Sequence, residues 1–459
     1  MLTQNLITHL FAEFNIDDIK HYHPSQIHQC LQTICEYCPD LVKIEQIGNS
    51  RNGHPLFAIL IGQTDKKPII AATGNCHAEE AIGTVTILKL AEALVSNPEM
   101  KSILDEYAFA FIPQANPDGT LKNWEWLKLE HPSYRDYLRH YYRDNRSEDV
   151  EHGIPTPETT QECRPESEAI AKFYRRFPKI HYYVTLHSDN ISSGAMFLVS
   201  QKPPTKIAEG LRSISQQQGL SPYTDNNNGM GGFEFVEPGF YAIPRFEVMR
   251  EKMLAGGDPE RVKQFKLNSF QLVETECSCS MSLVSELPYF AVEGFQDLTP
   301  LSDFIPITGD REVLKRKLVN CDEQNAKRRM DLLSSLTAFG ICSPLLDFHI
   351  EKTRWLSGNI IGDRQDCAKV RGCPALIKDL VEVRIRPLIL EAETAAMMLR
   401  LINESDLPAS QSTKLADRYE EIFSTACDQI EKITSIKSIS LADQVKIQVG
   451  IILSGLLVH

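Results

Sequence analysis

A chain of 459 residues with 42% hydrophobic and 24% charged residues has the composition of a soluble globular protein. It is long enough for about two or three domains, or for one large domain with an appendage. Its formal net charge of −13 argues against a general nucleic-acid binder, because phosphate contacts need a basic face.

Cellular location is indicated by three features of the sequence. No segment approaches the length of a membrane span, and the start MLTQNLITHLFAEF lacks the basic region of a secretory signal. Twelve cysteines are too sparse for a disulfide scaffold, and none pairs with histidines at zinc-finger spacing. We therefore expect a cytoplasmic protein with free or buried thiols and no membrane span.

The first two thirds of the chain predict a helical start followed by an α/β sheet. Residues 1–45 contain SQIHQCLQTICEYC, whose apolar spacing is that of a helix. LVKIEQIG and PLFAILIG predict two strands around the turn NSRNGH. KKPIIAATGN, EYAFAFIPQ and KIHYYVTLHS predict further strands, which alternate with helices predicted at AIGTVTILKLAEALVSN and ESEAIAKFYRRF. This alternation favours a sheet that is parallel at least in its centre.

Beyond residue 200 the pattern changes. NNNGMGGFEFVEPGF predicts a loop or hairpin, and QLVETECSCSMSLVSELPYF predicts a return to strand. From residue 310 onward amphipathic spacing predicts helices, and the short apolar GIILSGLLV predicts a docking helix or strand. We predict three units: an N-terminal helical segment over 1–45 packed on the rest, a central domain over 46–305 and a helical C-terminal region over 310–459.

The stretch GNCHAEE directly follows the third predicted strand and contains the pair His77 and Glu80. If a helix opens at Ala78, the carboxylate of Glu80 can turn back toward the imidazole. A neutral imidazole and a carboxylate are good Zn²⁺ ligands. The pair alone is a weak signal, because acidic residues also suit a helix N-terminus, the interpretation that we give to Glu79.

Two residues further along the chain complete a candidate hydrolytic site. His187 ends the predicted strand YYVTLHS, at the carboxyl end where α/β sheets form their sites, although a structural histidine is the alternative. Glu286 lies among apolar neighbours in SLVSELPYF, where burying its charge would cost several kcal/mol. That cost is acceptable if the carboxylate faces a metal-bound water. The alternative is an edge-strand glutamate that faces solvent.

Four motifs occur in a specific order: GNCHAEE, NPDG at 116–119, TLHS at 185–188 and SELP at 285–288. Together they resemble the zinc metallocarboxypeptidases of the carboxypeptidase A superfamily, over roughly residues 25–300. The resemblance implies an α/β fold with a mixed central sheet flanked by helices, and it makes the central domain the catalytic one. It implies one Zn²⁺ per chain with His77, Glu80 and His187 as ligands. It also implies that Glu286 deprotonates the zinc-bound water and later passes a proton to the leaving amine.

The family also uses one arginine to polarise the scissile carbonyl and an Asn-Arg pair to grip the terminal carboxylate. We choose Asn145 and Arg146 for that pair. Arg143 is the next candidate and a candidate catalytic residue, while Arg135 or Arg139 could polarise the carbonyl. The alternative is that PSYRDYLRHYYRDNR forms one surface helix with solvated arginines.

These residues favour a zinc-dependent metallocarboxypeptidase that hydrolyses a C-terminal amide bond of a peptide. Tyr241 is the candidate for the family's substrate-binding tyrosine. One alternative is a zinc amidohydrolase or deacylase that acts on an acyl-amino acid, which would lack a cationic carboxylate anchor beyond the zinc. The other is a non-catalytic binding relative, which the presence of all three ligand candidates and the base disfavours. The expected partner is a peptide or acyl-amino acid, not nucleic acid.

Overall fold

The computed structural model describes residues 19–458 except for several internal stretches. These are residues 145–147, 157–158, 161, 193, 224–232, 244–265, 296, 302–309, 339–344, 348, 351–352, 355–356, 358–366 and 368–370. The predicted pair Asn145 and Arg146, the tract at 224–232 and most of the predicted linker near 300–310 therefore lie outside the described residues.

The described strands form one mixed sheet. They are β1 (Val42–Asn49), β2 (Pro55–Ile61), β3 (Ile69–Gly74), β4 (Ala108–Ile112), β5 (Tyr182–Ser192), β6 (Met196–Val199), β7 (Glu234–Glu237), β8 (Phe240–Ala242), β9 (Met281–Val292) and β10 (Ile436–Ser438). Their order is β1-β2-β4-β3-β5-β9-β6-β8-β7, and β10 pairs with β9. The central strands β4, β3, β5 and β9 run parallel to one another. Strand β2 is antiparallel to both β1 and β4, whereas β6 is antiparallel to β9 but parallel to β8. The predicted mixed sheet with a parallel centre is confirmed.

The strands β3 and β4 are buried along their whole length because helices cover both faces of the sheet. Every residue of β3, IIAATG, and of β4, AFAFI, is buried. Continuous apolar runs of this kind are typical of parallel strands that have no solvent-facing side. The sheet therefore contributes residues to two hydrophobic clusters, one on each face.

The described helices of at least four residues are α1 (Ile27–Tyr37), α2 (Ile82–Ser96), α3 (Pro98–Lys101), α4 (Pro117–Lys122), α5 (Trp124–Leu127), α6 (Tyr134–His140), α7 (Pro165–Tyr174), α8 (Thr205–Gln217), α9 (Ser269–Glu276), α10 (Arg311–Ala338), α11 (Ile377–Asn403), α12 (Ala409–Ile433) and α13 (Leu441–Leu453). Helices α2, α8 and α13 pack in the cluster on one face, and α7 and α9 pack in the cluster on the other. Of these described helices, none is long and apolar enough to cross a membrane.

Two local predictions differ from the structure. The Pro, Asp and Gly of NPDG predict a turn, but the sequence begins α4, with the Asn116 side chain accepting a hydrogen bond from the Gly119 amide at 2.9 Å. Residues 271–276 belong to the stretch predicted as strand, but they lie in α9, which opens with a capping box between Asn268 and Gln271. Both errors have one physical cause, since an asparagine N-cap satisfies the free amides of a helix start.

The end of the chain returns to the sheet. After α12, the strand β10 pairs antiparallel with residues 290–292 of β9, and α13 then packs on the face that carries α2. Gly455, just beyond α13, lies so close to the Tyr182 ring that an added Cβ would stand 2.5 Å from a ring carbon. The apolar C-terminal stretch is thus a docking helix. The predicted division into 46–305 and 310–459 stays a prediction.

Candidate metal centre and active site

The loop after β3 carries His77 into the interior. Asn75 adopts a left-handed backbone with φ of 55°, a conformation that asparagine tolerates better than most residues. Its side chain donates to the His77 carbonyl at 2.9 Å and accepts from the Thr120 hydroxyl at 2.5 Å. Gly74 lets α2 approach the strand, because a Cβ there would lie 2.6 Å from the Gly83 carbonyl carbon. These contacts fix where His77 points.

Three side chains converge just beyond the carboxyl end of β3 and beside the middle of β5. The prediction that His187 ends its strand is wrong, because β5 continues to Ser192 through its pairing with β9. His77 Nδ1 is 2.9 Å from Glu80 Oε1, and His187 Nδ1 is 2.6 Å from Glu80 Oε2. The two ring nitrogens are 3.0 Å apart, and all three side chains are buried. Helix α2 begins at Ile82 rather than at Ala78, yet the turn that precedes it still brings Glu80 back to His77.

The charges at this junction favour an ionised carboxylate between two imidazoles. Burial opposes ionisation of Glu80, but the charges and hydrogen bonds of His77 and His187 hold its pKa below the usual range. Burial and the charge of Arg143 oppose protonation of His77, but Glu80 and Asp149 raise its pKa well above the usual value. The junction attracts a positive charge, which a proton or a metal ion can supply.

The donor set fits zinc. Two imidazole nitrogens and one carboxylate are a known ligand set of catalytic zinc sites, which keep a fourth position open. Both nitrogens that face the centre are Nδ1 atoms, so each ring can keep its proton on Nε2 and present a lone pair. His77, Glu80 and His187 could therefore hold the zinc ion together.

Asp149 lies behind His77, and sequence reasoning missed it. Its Oδ2 is 3.5 Å from His77 Nε2 and also 3.5 Å from His152 Nδ1, and the two imidazole rings stack with centroids 6.0 Å apart. Burial opposes the charge of Asp149, but His77 and His152 hold its pKa well below the usual range. A carboxylate in this position favours the tautomer of His77 with its proton on Nε2. The one feature of the sequence that could have pointed to Asp149 is that His152 follows it three residues later.

Glu286 lies beside the ligands on the neighbouring strand. It is the register partner of His187 across β5 and β9, and it keeps partial exposure between the buried residues Ser285 and Leu287. Loss of water around the carboxyl raises its pKa to about 8, with Glu80 and Asp189 contributing and His187 opposing. The structure thus places the predicted base next to the predicted metal ligands.

Arg143 reaches the same centre from the loop after α6. Its Nη1 atom donates to Glu79 Oε1 at 2.9 Å and to Glu80 Oε1 at 3.0 Å, and the side chain is 30% exposed. Arg135 and Arg139 instead pair with acidic residues of α12, so the structure does not bring them to the ligands. Of the predicted arginines that the structure describes, Arg143 is therefore the one that contacts a candidate metal ligand, Glu80.

The loop that carries Arg143 and Asp149 is anchored by Arg164, which sequence reasoning also missed. The buried guanidinium donates to the Glu148 carbonyl at 2.8 Å and lies 3.4 Å from Asp144 Oδ2. Asn116, from the NPDG motif, donates to the same Asp144 oxygen at 2.6 Å. The NPDG motif therefore helps to hold this loop in place through Asn116.

Tyr241 lies in β8, fully buried in an apolar cluster. It pairs with Leu198, which in turn pairs with Val284, two residues before Glu286. The structure places its ring near the strand of the base but encloses it on all sides. Its role in substrate binding stays a prediction.

Part of the chain matches a family of known proteins. Residues 27–219 match the model of the zinc carboxypeptidase family, Peptidase M14. This part of the chain is therefore similar to the zinc carboxypeptidase family. The resemblance inferred from the four motifs is confirmed, and three of those motifs lie inside the carboxypeptidase match, while Glu286 lies beyond it.

Individual relatives match short stretches. Carboxypeptidase E of Caenorhabditis elegans is 33% identical over 129 residues, 26% of each chain. An inactive metallocarboxypeptidase of Ajellomyces dermatitidis is 30% identical over 133 residues, 27% of this chain and 21% of the relative. The carboxypeptidase A structure from Helicoverpa armigera aligns over 80% of both chains with 15% identity and a TM-score of 0.36. The chain spans about a quarter of the length of the curated relatives that it matches.

Proposed function

We propose that this protein is a zinc-dependent metallocarboxypeptidase that hydrolyses the C-terminal amide bond of a peptide. The observation that carries the proposal is the buried junction of His77, Glu80 and His187 with Glu286 directly beside it. A partly exposed carboxylate with a raised pKa next to a cation site is suited to accept and return a proton near neutral pH. The similarity of residues 27–219 to the zinc carboxypeptidase family supports the same class of reaction.

Zinc bound at this junction would supply a Lewis acid that polarises the scissile carbonyl and makes a water molecule nucleophilic near neutral pH. Glu286 acts as the general base that takes a proton from the attacking water. The water oxygen bonds to the carbonyl carbon, the carbon–nitrogen bond breaks, and Glu286 returns the proton to the leaving amine. One water is consumed, and a carboxylate and an amine are released.

Two further residues have roles in this proposal. Asp149 holds the proton of His77 on Nε2, so that Nδ1 stays available as a ligand. Arg143 is exposed enough to contact a substrate carbonyl or carboxylate, while Glu79 and Glu80 fix its guanidinium at the edge of the centre. A guanidinium held in this way stabilises negative charge that develops on the carbonyl oxygen.

Several relatives are named inactive, so similarity to the family alone does not establish turnover. The position of Glu286 beside His187 supports an active enzyme. The proposed carboxylate grip by Asn145 and Arg146 rests on the sequence, since both residues lie outside the described part of the chain.

A substrate panel tests the proposal. The zinc-loaded protein is incubated with peptides that have a free C-terminus, with the same peptides amidated at the C-terminus and with N-acyl amino acids, and the products are identified by mass spectrometry. A carboxypeptidase releases single C-terminal residues from the free peptides only. Cleavage confined to the N-acyl amino acids would establish a deacylase instead, and no cleavage of any substrate would favour the non-catalytic relative.

A further inference from the structure

Gln448, on the C-terminal helix α13, makes hydrogen bonds to three separate elements around the metal centre. Its Oε1 accepts from the Thr86 hydroxyl of α2 at 2.7 Å. Its Nε2 donates to the His187 carbonyl of β5 at 3.2 Å and to the Ser285 hydroxyl of β9 at 3.3 Å. One side chain, 261 residues after His187, thus joins the helix that follows Glu80 to the strands that carry His187 and Glu286.

The network around this amide is complete. His187 N donates to Ser285 Oγ at 3.2 Å, and Ser285 Oγ donates back to the His187 carbonyl at 3.2 Å. The Ser285 hydroxyl therefore gives its one proton and accepts two, while the Gln448 amide uses both of its protons and its oxygen. Gln448, Thr86 and Ser285 are fully buried. Buried networks in which every polar atom is satisfied are rigid, so the backbone of His187 and of the residue before Glu286 is held in place.

Docking of α13 does not require a polar side chain at position 448. The same helix buries Val445, Ile447, Val449, Ile451 and Ile452 almost completely. A buried amide contributes to stability only when it is hydrogen-bonded, because its desolvation costs about 1–3 kcal/mol. An apolar residue would fill the same space without that cost.

Another glutamine on α13 provides an internal comparison. Gln444, one turn earlier and also buried, donates to the Ile439 carbonyl within its own segment at 3.0 Å. Gln448 differs in that its partners belong to the elements of the metal centre. Gln444 thus makes a local hydrogen bond, whereas Gln448 makes hydrogen bonds that reach the candidate metal ligand His187.

We propose that Gln448 is a positioning residue, through which the C-terminal helix sets the orientation of His187 and the position of Glu286. The inference rests on the proposed zinc site. It assigns to α13 a role in metal affinity, beyond its role in completing the fold. Loss of the amide should loosen the His187 backbone and widen the distribution of distances between the three ligands.

The test measures zinc affinity by competition with a chelating dye, together with the thermal midpoint of the metal-free protein. Gln448→Met removes both donors while keeping the size of the side chain, and Gln444→Met is the matched control. We expect Gln448→Met to weaken zinc binding about tenfold to a hundredfold, as loss of supporting contacts does at other metal sites. We expect Gln444→Met to bind zinc as the wild type does, although both variants lower the metal-free midpoint.

Thr86→Val provides a second variant that keeps the shape of its side chain and removes the anchor of the Gln448 oxygen. Like Gln448→Met, it should weaken zinc binding. It tests the hydrogen-bond network around Gln448 even if Gln448→Met does not fold. Wild-type affinity in Thr86→Val or Gln448→Met, or equal weakening in Gln444→Met, would overturn the inference while leaving the zinc site intact. A wild-type protein that binds no zinc would overturn the proposed function itself.

Discussion

His187 and Glu286 are register partners in the parallel strands β5 and β9. Paired residues of a parallel sheet extend to the same face, so the two side chains stand next to each other although 99 positions separate them, since 286 − 187 = 99. His187 turns its Nδ1 toward Glu80, and Glu286 keeps a partly exposed carboxyl group beside His187. In the proposed reaction, a ligand and a base held on adjacent strands of a rigid sheet would be preorganised for hydrolysis.

The three ligands are tested by single alanine substitutions. His77→Ala and His187→Ala each remove one of the three converging donor atoms, and zinc content measured by mass spectrometry should fall well below one ion per chain. The control is His131→Ala, because His131 is 90% exposed and distant in sequence from every ligand. Full zinc occupancy in both ligand variants would reject the assignment.

Glu286→Gln should keep the metal and lose turnover. The substitution preserves size but removes the group that accepts the proton, which typically costs on the order of a hundredfold or more in kcat. Glu276→Gln is the control, since Glu276 is paired with Arg175 through two contacts of 2.8 and 2.9 Å. If Glu286→Gln turned over substrate at the wild-type rate, another carboxylate would have to act as the base.

Arg143→Ala should lower kcat/KM by about a hundredfold or more, because the guanidinium stabilises charge that forms in the transition state. Arg139→Ala, the control, breaks a pair with Glu420 of α12 and should leave kcat/KM close to the wild-type value. Zinc content is measured in both variants, because Arg143 also contacts Glu80. Equal kinetic losses in the two variants would show that Arg143 has no special role in the reaction.

His21 makes the fold sensitive to acid. Burial lowers the pKa of its imidazole from 6.5 to about 4, against a hydrogen bond with the Ala81 backbone that raises it. Between these pH values the unfolded chain binds a proton that the folded protein excludes, so this contribution to stability is complete above pH 6.5 and is lost as the pH falls.

His21→Phe, which cannot titrate, should therefore flatten the dependence of the free energy of unfolding on pH between 6.5 and 4. Because one imidazole binds at most one proton, the slopes of the two curves of unfolding free energy against pH can differ by about 1.4 kcal/mol per pH unit. Urea unfolding of the metal-free proteins at several pH values measures it, with the exposed His131→Phe as control. Parallel curves for wild type and His21→Phe would contradict this explanation.

The parts of the site that lie close to predicted strand ends were accessible from the sequence. His77 follows the apolar run of β3, and His187 follows that of β5, so both could be assigned to one edge of a parallel sheet. The pair His77 and Glu80 could be read from a three-residue spacing because a single turn brings the two together.

The remaining contacts depend on packing between distant segments, which periodicity does not encode. Asp149 reaches His77 from a loop without regular structure, and Gln448 reaches His187 from a helix near the end of the chain. Two short helices were also missed, because the N-caps Asn116 and Asn268 occur in sequences that also fit a turn or a strand. Side-chain pairing of this kind follows from tertiary structure and not from local pattern.

The most direct test of the account is a crystal structure of the zinc-loaded protein with an anomalous difference map at the zinc absorption edge. We expect one peak per chain, about 2.0–2.2 Å from His77 Nδ1, His187 Nδ1 and a Glu80 oxygen, with Glu286 facing the open side. A peak bound through other residues, or a zinc-soaked crystal with no peak between these three side chains, would contradict it.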